Sequence, residues 1–317
     1  TGVQTCALPI SFETFSDIDA SSSYIRQRGE PIVVKADGLA AGKGVVVAAT
    51  VDEALAAAKS MLTDHAFGDA GARIVVEDFL DGEEASFMAI VDGVDVLPLA
   101  SSQDHKPRDD GDEGPNTGGM GAYSPAPVVD AAMHQRVMQE IIEPTVRGLA
   151  ADGVHYRGFL YAGLMIGRNG TPQVLEFNCR MGDPETQPIL MRLETDLVSL
   201  IEAAIDGQLA EAQTSWDSRV ALAVVMASGG YPGDYEKGAL IEGLDVQDTD
   251  TSIVFHAGTA NTAMGVKTAG GRVLNVCGLG ATVEEARAVA YARAEAIHWP
   301  GSFYRSDIGL RAVGRER

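Results

Sequence analysis

A carboxylate, a carboxamide and a guanidinium lie within five residues of one another in the second half of the chain. Glu176 and Asn178 are two positions apart in an apolar run, and Arg180 follows them. Side chains two apart on a strand share a face, so both oxygen-bearing groups point the same way while Leu175 and Phe177 point into packing. Such hard ligands suit Mg²⁺, and Arg180 can bind phosphate or carboxylate oxygens. A surface glutamate beside a capping asparagine is the alternative.

A glycine-rich loop bounded by two lysines lies near the start of the chain. Lys35 and Lys43 enclose A-D-G-L-A-A-G, and Gly44 follows. The β-branched runs on both sides predict strand, loop, strand. It is not a Walker A loop, because three residues separate Gly38 from Gly42 and a strand follows where a helix is required. Backbone N–H groups can approach an anion closely where Cβ atoms are absent. The loop therefore predicts phosphate binding, with an ordinary glycine hairpin as the alternative.

The segment 73–80, R-I-V-V-E-D-F-L, is predicted to be a strand that carries Glu77, Phe79 and Leu80 at its end. Backbone groups of such a strand can read a base edge while apolar side chains cover the base faces. The segment could therefore line an adenine. Taken alone, the segment is better explained as an ordinary core strand.

Residues 101–125 form a polar run without periodicity, of a length that compact domains seldom carry unless it is functional or disordered. Asp104, His105 and Lys106 lie near its start, and N-T-G-G-M-G follows. We predict a binding loop here; the alternative is a solvated acidic loop.

Several elements are predicted to position these side chains. A helix is expected from Asp130 to about Ala151, with Pro144 as the position of a kink. Hairpin turns and helix-capping boxes are also indicated by short local patterns. The turns lie at Asp92-Gly93 and Asn169-Gly170, and the boxes are Thr50 with Glu53 and Thr282 with Glu285.

Composition limits the classes of function. At 317 residues with 45% hydrophobic content, the chain fits an ordered α/β protein of about two domains. A net charge of −21 opposes binding to nucleic acid or to anionic lipid. Cys6, Cys179 and Cys277 are unclustered, which indicates neither a disulfide framework nor a zinc site and favours the reducing cytoplasm. No apolar run approaches the roughly 18 residues of a membrane helix.

The first ten residues lack an initiator Met, a basic region and an apolar region, so they are not a signal peptide. We expect residues 1–10 to be a non-native leader and exclude them from fold reasoning. The native chain is expected to begin further upstream.

Several motifs together resemble one enzyme family. K-A-D-G-L-A-A-G-K-G, D-G-E-E-A-S, Q-D-H-K, G-P-N-T-G-G-M-G-A-Y-S-P and R-M-G-D-P-E-T-Q occur in the order and spacing of the phosphoribosylamine–glycine ligases, which are ATP-grasp enzymes. Later motifs agree, namely G-G-Y-P-G-D-Y, F-H-A-G-T, G-G-R-V-L and Y-R-S-D-I-G. The similarity runs from about residue 11 to the end.

The resemblance implies an α/β (α+β) ATP-grasp fold of two subdomains with mainly antiparallel sheets, at about 11–80 and 81–209. A small C-terminal α/β domain would follow at 210–317. ATP would lie between the two subdomains, and the family pattern implies a role for each matching side chain. The implied sets are Lys35, Gly38, Gly42, Lys43, Gly44, Glu77, Phe79, Leu80 and Glu84 for ATP; Glu176 and Asn178 for Mg²⁺ or Mn²⁺; Asp104, Lys106 and Arg180 for the substrates; and Arg180 with Lys43 for catalysis.

The implied reaction joins glycine to 5-phosphoribosylamine through glycyl phosphate in purine biosynthesis. The expected partners are these small molecules and ATP, with no nucleic acid or membrane, and the chain is expected to be a monomer. Another ATP-grasp carboxylate–amine ligase and a non-catalytic nucleotide-binding fragment are the alternatives.

Three departures from the family pattern stand out. Pro107 intervenes before Arg108, so neither receives a role, and Met181 replaces the usual Phe or Leu. The family's N-terminal domain, which helps to hold phosphoribosylamine, is expected to be absent. We therefore expect ATP binding to be intact and product formation to be slow.

Overall fold

The computed structural model describes residues 10–38 and 44–315. Within that part of the chain, residues up to Gly82 form one compact unit and residues from Glu83 onwards form another. No helix in the described ranges is long and apolar enough to cross a bilayer.

The first unit is a four-stranded antiparallel sheet packed against two helices. Its strands lie in the order β1-β4-β2-β3, and its core is formed by apolar side chains from the sheet and both helices. Ile25, Val34, Met61 and Ile74 are fully buried in that core. The elements are β1 (Phe12–Phe15), α1 (Ile18–Arg28), β2 (Ile32–Ala36), β3 (Val45–Ala48), α2 (Val51–Leu62) and β4 (Ile74–Asp78).

The strand predicted over 73–80 is shorter than expected. It begins at Ile74 and ends at Asp78, whose N–H still donates to the Ser11 carbonyl at 3.0 Å. Phe79 and Leu80 therefore follow the strand and do not belong to it. The predicted strand, loop and strand around the glycine loop is confirmed by the antiparallel pair β2 and β3.

The second unit contains two larger sheets and two short ribbons. The sheets have the strand orders β12-β11-β5-β6 and β14-β17-β13-β10-β7, with β18 beside β13, and the ribbons are β15-β16 and β8-β9. The elements are β5 (Gly82–Val91), β6 (Val96–Pro98), β7 (Gln103–Asp104), β8 (Pro107–Asp109), β9 (Glu113–Asn116), β10 (Gly121–Ser124), α3 (Ala131–Val137), α4 (Glu143–Ala151), β11 (Gly158–Gly167), β12 (Pro172–Asn178), α5 (Thr186–Arg192), α6 (Leu197–Asp206), β13 (Val220–Ser228), β14 (Ser252–His256), β15 (Thr259–Thr262), β16 (Gly265–Thr268), β17 (Arg272–Gly280), α7 (Val283–Glu295) and β18 (Ser302–Phe303).

Strand β5 is apolar on both faces because helices cover both sides of its sheet. Phe87 and Ala89 face a core that includes residues of α3 and α4, while Met88 and Ile90 face a core that includes residues of α5 and α6. Alternate residues thus enter two different layers. This explains why the sequence shows a continuous apolar run here.

The polar run 101–125 is more ordered than the sequence predicts. It contains β7, β8, β9 and β10, and β10 is fully buried between β13 and β7. Strands of two to four residues are too short to show a hydrophobic period, which is why sequence reasoning missed them. The six-stranded sheet therefore combines strands from before and after residue 210.

The helix predicted from Asp130 is confirmed, with an irregularity in its middle. The Asp130 carboxylate accepts from the Met133 N–H at 2.8 Å, and a five-residue π-helical turn, Met138–Ile142, separates α3 from α4. Pro144 lacks an N–H and cannot continue the α-helical bonding pattern, so the wider turn lies just before it.

The predicted capping box at the start of α2 is confirmed. The Thr50 hydroxyl accepts from the Glu53 N–H at 3.2 Å, and the Glu53 carboxylate accepts from the N–H groups of Thr50 and Ala49. At the start of α7, Thr282 makes the equivalent bond to Glu285, whose carboxylate accepts from the Ala281 N–H.

We expect Thr50→Ala to lower the free energy of unfolding by about 1 kcal/mol, because the first-turn N–H groups lose their acceptor. Urea unfolding followed by circular dichroism measures this loss. Thr50→Ser is the matched control, since it keeps the hydroxyl and should lose much less. Equal losses in the two variants would contradict a capping role.

Candidate functional site

Glu176 and Asn178 lie on one face of β12, as their spacing predicts. They pair with Gly163 and Tyr161 of β11, which are themselves two residues apart. Glu176 is exposed and Asn178 is half-buried, whereas Phe177 packs into the core on the opposite face. A Cβ at Gly163 would lie 3.1 Å from the Glu176 Cγ, so the glycine leaves room for this side chain. Leu175 was predicted to point into packing with Phe177, but the strand register shifts here, and Val174 packs against the same core as Phe177.

The donor set of Glu176 and Asn178 fits a hard divalent ion. Among residues 10–38 and 44–315, we find no hydrogen bond or ion pair to the Glu176 carboxylate or the Asn178 amide. The same residues contain no cluster of three or more acidic, histidine or cysteine side chains that could hold a metal alone. A metal ion at Glu176 and Asn178 would therefore take further oxygens from water or a ligand, as Mg²⁺ commonly does.

The lysine and glycines of the first unit lie beside one another at the ends of β2 and β3. Lys35 Nζ is 2.5 Å from the Glu77 carboxylate, and both side chains are largely buried. Gly38 approaches the backbone of residue 70 so closely that a Cβ would lie 2.5 Å from the Ala70 Cα. The Gly44 carbonyl accepts from the Ala36 N–H at 2.8 Å. Gly42 and Lys43 lie outside the described residues.

The predicted adenine-binding side chains differ in their exposure. Phe79 is 41% exposed and is therefore accessible to a ligand, whereas Leu80 is half-buried. Glu77 of the same segment is engaged by Lys35. Glu84, which was predicted to belong with these residues, lies on β5 of the second unit.

Glu84, Lys106 and Asp104 form a charged cluster in the second unit. Lys106 Nζ is 2.8 Å from the Glu84 carboxylate and 3.7 Å from that of Asp104. Burial opposes the charge of Lys106, but the charges of Glu84 and Asp104 hold its pKa well above the ordinary value. Lys106 therefore stays cationic, and its side chain remains 32% exposed.

Asp104 is buried beside a second carboxylate that sequence reasoning did not select. Asp104 is only 7% exposed, and burial together with the charge of Glu185 raises its pKa well above the ordinary value. Glu185 is 1% exposed and accepts a hydrogen bond of 2.7 Å from the Ser86 hydroxyl. The Tyr161 hydroxyl is 3.1 Å from Ser86, and burial and the Glu185 charge raise its pKa. The only sequence signal for Glu185 was its place in R-M-G-D-P-E-T-Q.

His105 is a buried structural histidine between the two charged residues of its motif. The Gly309 N–H donates to His105 Nε2 at 3.2 Å, so Nδ1 carries the proton and faces the Gly121 carbonyl at 3.3 Å. Burial, with the charges of Arg311 and Arg305, holds the His105 pKa well below its usual range. The neutral ring therefore connects this segment to the C-terminal residues.

C-terminal arginines hold the backbone around this cluster. Arg311 donates to the Asp104 carbonyl at 2.7 Å, and Arg305 donates to the Pro107 carbonyl at 3.0 Å. Arg305 is itself buried between Asp307, at 2.7 Å, and Asp112, at 3.0 Å. The Y-R-S-D-I-G motif therefore supports the segment that carries Asp104 and Lys106.

Two further arginines have local partners. Arg180 is exposed and donates to the Met181 carbonyl at 2.8 Å, so its charge remains open to a ligand. Arg108, which received no role from the sequence, donates two bonds of 2.8 Å to Asp109.

We expect the stability contributed by neutral His105 to be complete above about pH 6.5 and to be lost as pH falls towards its lower folded-state pKa, because the unfolded chain takes up the proton first. His105→Gln should therefore show a shallower loss of stability between about pH 7 and pH 5. Urea unfolding at several pH values measures this difference. His155→Gln changes an exposed histidine and is the control; a wild-type-like slope for His105→Gln would contradict the assignment.

Two family models match the chain. The phosphoribosylglycinamide synthetase ATP-grasp (A) domain matches residues 3–186, and the C domain of the same synthetase matches residues 221–311. The phosphoribosylamine–glycine ligase of Vibrio cholerae is 59% identical over 307 residues, covering 97% of this chain and 72% of the relative. That of Allochromatium vinosum is 58% identical over 316 residues and covers 100% and 73%.

Solved structures agree with these matches. The phosphoribosylamine–glycine ligase of Thermotoga maritima has a TM-score of 0.85 at 35% identity, over 95% of this chain and 75% of that one. A biotin carboxylase from Campylobacter jejuni has a TM-score of 0.73 at 14% identity, over 98% and 67%, and supports the ATP-grasp fold alone. The expected fold class is thereby confirmed, and the chain belongs to the phosphoribosylamine–glycine ligase family.

Proposed function

We propose that this chain catalyses the ATP-dependent joining of glycine to 5-phosphoribosylamine, giving glycinamide ribonucleotide, ADP and phosphate. Beyond family membership, the observation that supports this most is the charged cluster of Asp104, Lys106 and Glu84. It presents a cation kept protonated by its neighbours, beside a buried carboxyl group. Such a site can bind both the carboxylate and the ammonium group of a small zwitterion.

In the first step, an oxygen of the glycine carboxylate forms a bond to the γ-phosphorus of ATP, and the bond from that phosphorus to the bridging oxygen breaks to release ADP. Arg180 and Lys43 would neutralise charge on the transferring phosphoryl group. The exposed guanidinium of Arg180 supports this role. A Mg²⁺ or Mn²⁺ ion held by Glu176 and Asn178 would supply further positive charge to the phosphate oxygens.

In the second step, the amine nitrogen of 5-phosphoribosylamine attacks the acyl carbon of glycyl phosphate. The C–N bond forms, the C–O bond to phosphate breaks, and the nitrogen loses a proton to solvent. Lys106 and Arg180 would hold the carboxylate-derived oxygens, and Asp104 would orient the substrate beside them. Positioning of this kind accounts for most of the catalysis that such a reaction needs.

The residues proposed for ATP binding are those that match the family pattern. In the first unit, Lys35, Gly38, Gly42, Lys43 and Gly44 would bind the phosphates, and Glu77, Phe79 and Leu80 would bind the nucleoside. The exposed ring of Phe79 can cover a base face. Glu84, on β5, also matches the family's nucleoside-binding segment.

The cysteines that the structure describes favour a reducing compartment. Cys179 is exposed and Cys277 is buried, and both are free thiols. We therefore place the reaction in the cytoplasm, in purine biosynthesis, and expect a monomer that acts on small molecules.

Product analysis tests the proposed reaction. The chain is incubated with Mg-ATP, 5-phosphoribosylamine generated in situ and either glycine, alanine or β-alanine, and ADP and products are measured by mass spectrometry. We expect glycinamide ribonucleotide with glycine and little product with the others. Preference for another carboxylate would identify a different ligase, and ATP binding without any product would indicate a nucleotide-binding protein.

We expect Glu176→Ala to lower metal-dependent ATP turnover by at least about 100-fold, because even groups that only orient metal ligands commonly cost 10-fold to 100-fold when removed. The fold should persist, since the side chain is exposed. Turnover is measured across Mg²⁺ and Mn²⁺ concentrations. Glu13→Ala removes an exposed strand glutamate elsewhere and is the control; unchanged metal dependence in Glu176→Ala would refute the ligand role.

We expect Lys43→Ala to weaken ATP binding by about 10-fold or more while leaving adenosine binding nearly unchanged, because a charge-assisted contact to phosphate is lost. Calorimetric titration with each ligand measures both affinities. Lys59→Ala, on the exposed side of α2, is the control for surface charge. Equal losses for ATP and adenosine would show that Lys43 does not contact phosphate.

A further inference from the structure

Arg272 connects two loops that carry or adjoin the substrate residues. This arginine is the first residue of β17, in the C-terminal part of the chain. Its Nη1 atom donates to the Gly118 carbonyl at 2.6 Å, and its Nη2 atom donates to the Asp183 carboxylate at 2.6 Å. One guanidinium thus holds the N-T-G-G loop, residues 116–119, against the G-D-P turn, residues 182–184.

Weaker contacts strengthen the same connection. Arg272 Nη1 is also 3.3 Å from the Gly119 carbonyl and 3.4 Å from that of Asp183. The Gly118 N–H donates to the Tyr231 hydroxyl at 3.0 Å. Only an arginine offers a planar fork that can reach three carbonyls and a carboxylate together.

The glycines of the N-T-G-G loop make this contact sterically possible. A Cβ at Gly118 would lie 2.8 Å from Arg272 Nη2, so any side chain there would displace the guanidinium. A Cβ at Gly119 would lie 2.3 Å from the Pro184 ring and 2.8 Å from Asp104 Oδ1. The N-T-G-G loop therefore fits tightly between Arg272, the G-D-P turn and Asp104.

The G-D-P turn links Arg272 to the other substrate residues. Arg180 precedes Asp183 by three positions, and Glu185, whose charge raises the Asp104 pKa, follows it by two. A shift of this turn would move both side chains relative to Asp104. Displacements of about 1 Å at such positions can cost 100-fold in rate.

Stability alone does not account for the arrangement. The Asp183 side chain is 57% exposed and that of Arg272 is 21% exposed. An ion pair so open to solvent contributes little to the stability of the whole fold. Its effect is to fix the distance between two loops.

We infer that Arg272 is a positioning residue that sets the substrate geometry by clamping the N-T-G-G loop to the G-D-P turn. It touches no reacting atom and acts through Gly118, Gly119 and Asp183. The inference rests on the proposed function for its kinetic consequence, but not for its structural one.

The structural consequence is tested by amide hydrogen exchange on the full chain. In Arg272→Ala, exchange should rise in peptides that cover residues 116–119 and 182–184, while the melting temperature stays close to that of the wild type. Gly118→Ala should give the same pattern without changing Arg272 itself. Arg219→Ala, which removes another partly exposed arginine–aspartate pair, is the control and should leave both peptides unchanged.

The kinetic consequence is tested with glycine, 5-phosphoribosylamine and ATP as varied substrates. Arg272→Ala should lower kcat/KM for glycine by about 10-fold to 100-fold and leave KM for ATP nearly unchanged. Arg272→Lys should recover only part of the loss, and Asp183→Asn should lose less than Arg272→Ala because the bonds to the loop carbonyls remain.

Unchanged exchange at both segments overturns the clamp, whatever the activity. Raised exchange with unchanged kcat/KM for glycine overturns the positioning role. A wild-type chain that makes no product refutes the proposed function and not the positioning role. In that case the affinity for labelled glycine is measured by equilibrium dialysis. Equal affinity in the wild type and in Arg272→Ala overturns the inference.

Discussion

The second unit buries two acidic side chains, Asp104 and Glu185, close to one another, and much of its structure depends on this arrangement. Both side chains are almost completely enclosed. The charge of Glu185 raises the pKa of Asp104, and the charges of both residues raise the pKa of Tyr161. Lys106 supplies the compensating charge, and Ser86 supplies a hydrogen bond to Glu185. Because a buried charge that loses its partner is strongly destabilising, the backbone has to keep Lys106 and Ser86 beside these carboxyl groups. Much of the surrounding hydrogen bonding serves that purpose.

The C-terminal residues provide the rigidity. Gly309 fixes the neutral tautomer of His105, Arg311 holds the Asp104 carbonyl, and Arg305 holds the Pro107 carbonyl. These contacts come from a part of the chain that contributes no predicted ligand to ATP or metal. Division of labour of this kind is common in enzymes, where a second layer of residues orients those that touch the substrate. The C-terminal motifs shared with the family are therefore intelligible as supports of the site.

The sequence predicted what depends on neighbouring residues and missed what depends on distant ones. The shared face of Glu176 and Asn178, the capping box at Thr50 and the turn at Asn169-Gly170 follow from local periodicity and turn chemistry, and each is present. The bond from Ser86 to Glu185 joins residues 99 apart, and that from Gly309 to His105 joins residues 204 apart. Neither leaves a local pattern in the sequence. The short strands β7 and β10 were missed for a related reason, since their pairing partners define them more than their own residues do.

The pairing of β10 with β13 has a consequence for how the chain is made. Gly121 lies opposite Val224, so the ribosome must synthesise about 100 further residues before β10 can complete its sheet. Until then, β10 can pair only with β7, and the edge that later pairs with β13 remains available to other chains. The six-stranded sheet of the second unit is thus expected to remain incomplete until β13 has been synthesised. A chain released before residue 220 would carry an unpaired sheet edge. Synthesis of β13 is the step that covers this edge of β10.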